Sequence, residues 1–252
     1  MSRSRTARRA TLVAPILASA LLLAGCGGPD SGTPRPGLAV EVDGTRVSLT
    51  EVDEATTQYC DDAAASAEDA GEGASAVVLP RSLQRREVAA TYLLRIAFER
   101  LVDERGLSLG DGYGAAVDQI DEELAGRSDV DGLADLRKAQ AYIDAAAGAV
   151  GLDVSGAQLP AGQPVPQEVT AVGLTTGYQW LAEHDVTINP LLEFEVSNQG
   201  LALTDDSDLS VPVSDRARSF TFDPADPASV QAAAQAAAGL PADQVCTAAG
   251  GA

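Results

Sequence analysis

The chain has 252 residues, 45% of them hydrophobic but only 4% aromatic, so a core must be built mainly from Leu, Val, Ile and Ala. It carries 17 basic and 37 acidic side chains, a formal charge of −20. A surface this acidic repels phosphate backbones and anionic headgroups, which argues against nucleic-acid binding.

In chain order, the first 26 residues read as an address. Arg3, Arg5, Arg8 and Arg9 form a basic start, and Thr11 to Leu23 an apolar run broken only by Pro15 and Ser19. At about 13 residues that run is too short to span a bilayer as a helix. Leu23-Ala24-Gly25-Cys26 follows, the L-A-G-C form of the lipobox. Small side chains at Ala24 and Gly25 let a signal peptidase reach the bond before the cysteine, and the Cys26 thiol takes up a diacylglyceryl group. Buried acyl chains contribute about 0.8 kcal/mol per CH₂, so two chains anchor durably.

The expectation is a signal peptide over 1–25 and a lipidated Cys26 at the extracytoplasmic face of the cell membrane, with membrane lipid as its partner. An ordinary cleaved signal peptide with an incidental cysteine is the alternative. Arg8-Arg9 also allows a twin-arginine reading, but Ala10-Thr11-Leu12 fits that motif poorly, and the general secretory route is preferred. Losing four of the 17 cations with the signal leaves 13 against 37 acids, or −24. Residues 26–37, rich in Gly and Pro, read as a flexible tether, and 38–250 as the folded domain.

Leu38 to Val42 alternates like a strand, Asp43-Gly44 is a two-residue hairpin turn, and Arg46 to Ser48 returns as the second strand. Ser48-Leu49-Thr50-Glu51 matches a capping box, opening a helix through Val52, Ala55 and Tyr59. Asp61 to Ser75 lacks periodicity and reads as frayed helix or insertion. After Pro80, the strongest helical pattern covers Ser82 to Glu104, with Gly106 as its stop. Shorter helices are predicted over Tyr113 to Leu124 and Leu133 to Ala147, then a Gly/Pro-rich loop over 151–166. A helix from Gln167 to Glu183 follows. Val186 to Ile188, Leu192 to Val196 and Leu201 to Leu203 read as short strands, and Ala228 to Ala238 as an Ala-rich helix.

Beyond Cys26 only Cys60 and Cys246 remain, and in an oxidising compartment they form a disulfide candidate. Closing so long a loop is worth about 5 kcal/mol by chain entropy. Two free thiols too far apart to bond is the other possibility. Two cysteines and the single His184 cannot supply a tetrahedral metal set, so no metal or cofactor is expected.

Three motifs are weighed and set aside. Gly71-Glu72-Gly73-Ala74-Ser75-Ala76 fits a dinucleotide fingerprint only on paper, because no strand precedes it. Asp129-Val130-Asp131-Gly132 misplaces the glycine of a calcium loop, and Asp205-Asp206-Ser207-Asp208 has none; both read as solvated turns, with weak calcium binding as the alternative. There is no G-x-S-x-G elbow for a hydrolase, and His184 is expected to meet the C-terminal dipole of its helix. Trp180 and Tyr178 are expected in the core. No catalytic residue is assigned, and an enzyme is not expected.

The segment Val40 to Val52 (VEVDGTRVSLTEV) resembles the opening of SurA-type and PrsA-type chaperones, a hairpin running straight into a helix. The wider layout is similar to actinobacterial lipoproteins with a SurA N-terminal-like domain: the lipobox, this opening, the first-helix Cys60, and the L-P-x-x-Q-V-C ending at Leu240 to Cys246. The chain departs from that family at Asn189-Pro190, where an N-P-R-[FY]-G strand start continues here as Leu191-Leu192-Glu193. One histidine and no G-G-D-L-G stretch imply that no parvulin-type isomerase domain is present.

The expected fold is mainly α with a small β component: a helical SurA N-terminal-like domain with an N-terminal hairpin and short C-terminal strands. The resemblance implies a membrane-tethered, chaperone-like protein that holds extended segments of exported polypeptides. A structural adaptor docking one cell-envelope partner is the alternative.

Overall fold

The computed structural model describes residues 35–69, 76–160, 162–204 and 227–249. The lipobox, the Gly71–Ser75 stretch and Asp205–Asp208 lie outside the described residues. The rest is mainly helical with short strands, as the periodicity predicts.

The opening follows from local chemistry. β1 (Leu38–Val42) and β2 (Thr45–Ser48) pair antiparallel, and the turn between them needs positive φ at both Asp43 (46°) and Gly44 (83°). Asp-Gly supplies that turn at low cost. The capping box then closes reciprocally: Glu51 N–H donates to Ser48 Oγ at 3.1 Å, and Ser48 N–H to Glu51 Oε2 at 2.7 Å. From it runs α1 (Leu49–Asp69), which extends well past Tyr59 because Cys60 and Ala63 continue its buried stripe.

β3 (Ala76–Pro80) feeds directly into α2 (Arg81–Arg105), the helix around which the core is built. Leu93 and Phe98 are fully enclosed, and Val88, Leu101 and Val102 nearly so. Burying such side chains stabilises by about 1.5–3 kcal/mol each. α2 packs against β1, α1, α4 (Asp131–Ser155) and α5 (Gln167–Glu183), while α3 (Asp111–Leu124) rests on α4.

α4 corrects the prediction that a helix ends at Ala147 and a loop begins at 151. It continues through Gly148 and Gly151 to Ser155. Glycine weakens a helix by about 1 kcal/mol in solvent, but here the space is taken, at Gly148 by the Val165 side chain and at Gly151 by the backbone of α5. A Cβ on Gly151 would overlap the carbonyl of Val169, and one on Gly173 the carbonyl of Ala147.

β4 (Val186–Ile188) joins the hairpin to give the order β2-β1-β4. The predicted strand start at Leu192 is instead a 3-10 turn, Pro190–Leu192, and β5 (Phe194–Ser197) begins two residues later, paired with β6 (Gly200–Leu203). Asn189 explains the turn. It is 5% exposed; its Nδ2 donates to Leu38 O at 2.6 Å and its Oδ1 accepts from Leu191 N–H at 3.0 Å. Asn189→Ala is expected to cost about 1–3 kcal/mol, since it orphans buried backbone groups; urea denaturation measures it. Glu193 occupies the left-handed region (φ 53°) and pairs with Arg86 at 2.7 Å.

α6 (Pro227–Ala237) and β7 (Val245–Ala249) complete the chain, with β7 running antiparallel to β3. Neither β3 nor β7 is predicted from sequence, because each pairs only with a partner far along the chain.

Candidate functional site

Cys60 on α1 and Cys246 on β7 are joined by a disulfide, with Cα atoms 5.0 Å apart and a separation of 186 positions in sequence. Both sulfur-bearing residues are buried, at 6% and 2% exposure. Helix α1 turns Cys60 toward the start of β7, and the β3–β7 register sets Cys246 opposite Leu79. Cys26 lies outside the described residues. No described helix is long and apolar enough to cross a membrane.

Trp180, as expected, is in the core, and its Nε1–H donates to Glu104 at 3.0 Å. His184 stacks on Trp180 with ring centroids 3.6 Å apart, and its Nδ1 meets the Trp180 carbonyl at 2.6 Å. That is the helix-end role expected of it. Among the described residues, no three His, Cys, Asp or Glu side chains converge to hold a metal ion. Gly132 of the Asp129–Gly132 stretch packs against the backbone of Ala55, and Leu133 N–H donates to Gln58 Oε1 at 2.9 Å. This turn docks α4 onto α1.

Two clefts lie along successive turns of α2. The first, about 450 Å³, is bounded by α1, β3, α2 and α4. Tyr59, Leu79, Val88 and Leu136 give it a carbon lining, while the amides and hydroxyl of Gln84, Thr91 and Gln140 and the charged Glu87 and Arg137 supply its polar groups. The second, about 300 Å³, lies between β2, the start of α1, the middle of α2 and the start of α4. Acids predominate there: Glu51, Glu54, Glu99, Asp131 and Asp135, against Arg46 and Arg95. Burial, reinforced by Asp135, pushes the Tyr92 hydroxyl in this cleft up to about 12.

In a third hollow beside Arg81 and Arg85 both guanidinium groups have partners within the chain, although the buried Arg85 Nε itself makes no hydrogen bond among the described residues. Arg81 bonds to Thr57, and Arg85 pairs with Asp53 at 2.6 Å. The large exposed apolar side chains Val78, Val154, Val172, Leu191 and Leu240 lie on separate segments of the chain. The sequence did not single out Tyr59, Leu136, Tyr92 or Asp135 as a site, because α1, α2 and α4 bring them together only on packing. No family model, curated protein or solved structure matches this chain.

Proposed function

We propose that this chain is a lipid-anchored, extracytoplasmic binding protein that holds extended segments of exported polypeptides, without isomerase or other enzymatic activity. The lipobox at Leu23 to Cys26 supports the location, and the hairpin-to-helix opening at Val40 to Val52 supports kinship with SurA-type and PrsA-type chaperones.

The observation that carries the reading is the cleft lined by Tyr59, Leu79, Val88 and Leu136. Its carbon lining contributes affinity at roughly 25 cal/mol per Å² of client surface buried, and its amides can hydrogen-bond an extended backbone. Such a site selects for unfolded, apolar segments rather than for one sequence.

The test is aggregation of several unrelated unfolded proteins in the presence of the full-length chain held in nonionic detergent. Protection of most of them is expected, weakened by Gln140→Trp, which crowds the cleft at an exposed helix position. No protection, together with one stoichiometric partner in crosslinked membranes, would establish the adaptor instead.

A further inference from the structure

The acidic cleft gathers four solvent-exposed carboxylates, Glu51, Glu54, Asp131 and Asp135, around one buried ring, that of Tyr92. Among the described residues, Glu51, Glu54, Asp131 and Asp135 form no ion pair, whereas Arg95 and Arg46 are paired with Glu99 (2.7 Å) and Glu41 (2.9 Å). Glu51 has its capping role and Asp131 sits in the first turn of α4, where a carboxylate suits the helix dipole. Asp135 lies beyond that turn and makes no hydrogen bond or ion pair among the described residues, though it is within electrostatic reach of Tyr92 and Arg95.

Tyr92 is the second, independent sign. The residue is 7% exposed and its ring is packed into the core cluster. Yet its hydroxyl has no hydrogen-bond partner among the described residues and opens into the cleft, facing Asp135, Arg95, Glu51 and Glu54. The ring is buried, but the hydroxyl at its tip is left open to the cleft, where an incoming donor can reach it. A space of about 300 Å³ is larger than a bare ion requires, and the carboxylates do not converge on a metal-sized point.

We propose that this cleft is a binding site for the protonated side chain of a lysine or arginine borne on an extended polypeptide. The guest N–H groups donate to the Asp135 carboxylate and to the Tyr92 hydroxyl oxygen, with Glu51 and Glu54 supplying the surrounding negative potential. Lysine and arginine carry just such multiple donors. The proposal stands whether or not the Tyr59 cleft holds clients, since it concerns a different lining and a different chemistry.

The test uses the full-length chain in nonionic detergent and, as probe, a fluorophore-labelled Gly-Ser peptide with one central lysine, read by anisotropy at low salt. Acetylating that lysine is expected to weaken binding by about tenfold or more, as loss of a charge-assisted hydrogen bond would. Asp135→Asn and Tyr92→Phe should each weaken it several-fold; both keep side-chain volume, and neither breaks a bond in the fold. An apolar, lysine-free peptide reports on the Tyr59 cleft separately and should be indifferent to both variants. Equal binding of the lysine and acetyl-lysine peptides, or no response to either variant, would overturn the proposal. Competition by free 1,5-diaminopentane at the peptide's own concentration would overturn the assignment to a polypeptide-borne cation.

Discussion

Replacing Cys60 and Cys246 together by serine is expected to lower the stability of the chain by up to about 5 kcal/mol. With the cysteines 186 positions apart, chain entropy places the effect near the top of the usual range. For a domain of this size that is a fall of roughly 10–20 °C in Tm. The loss should begin locally. β7 is held by pairing with β3 in a two-stranded sheet and by packing on α1, and a two-stranded sheet is marginal by itself. Hydrogen exchange should therefore quicken first at 76–80 and 245–249, while amides of α2 and α4 stay protected. An unchanged Tm would show that the bond does not restrict the unfolded chain as supposed. Because both sulfurs are buried, mild reductant should cleave the native bond only slowly, and much faster in urea.

The second large effect is expected at the α4–α5 contact. Gly173→Ala places a Cβ on the carbonyl of Ala147, which belongs to the backbone of a buried helix and cannot rotate aside. Overpacking of this kind should cost about 3 kcal/mol or more, after a gain of about 1 kcal/mol in helix propensity. Gly151→Ala meets the Val169 carbonyl in the same way. The control is Gly112→Ala on α3, where nothing lies within 4 Å; there the propensity gain of about 1 kcal/mol should appear as a net stabilisation. Chemical denaturation of the three variants decides the matter, since opposite signs for Gly173→Ala and Gly112→Ala cannot come from propensity alone. Equal, small effects would mean that α4 and α5 can separate at little cost.

Local signals in the sequence carried much of the fold. The Asp43-Gly44 turn, the Ser48/Glu51 capping box, the apolar stripe of α2 and the Gly106 stop are each written within a few neighbouring residues, and each forms as read. The pairing of Cys60 with Cys246 was suggested by the scarcity of cysteines and an oxidising destination. Its geometry depends on β3 and β7, which no local pattern announced.

What tertiary structure alone decided is which faces meet. Gly151 reads as part of a loop, since glycine disfavours helix in water; in the fold, Val165 covers Gly148, α5 takes up the space beside Gly151, and α4 runs on to Ser155. Asn189 read only as part of a departing motif, and its worth lies in bonds to Leu38, 151 positions earlier. Likewise Asp135, an ordinary helix-surface acid in sequence, gains a chemical meaning from Tyr92, 43 positions before it, because α2 and α4 pack side by side. Spacing along the chain fixes which residues share one helix face. Only long-range packing fixes which of those faces close a cleft.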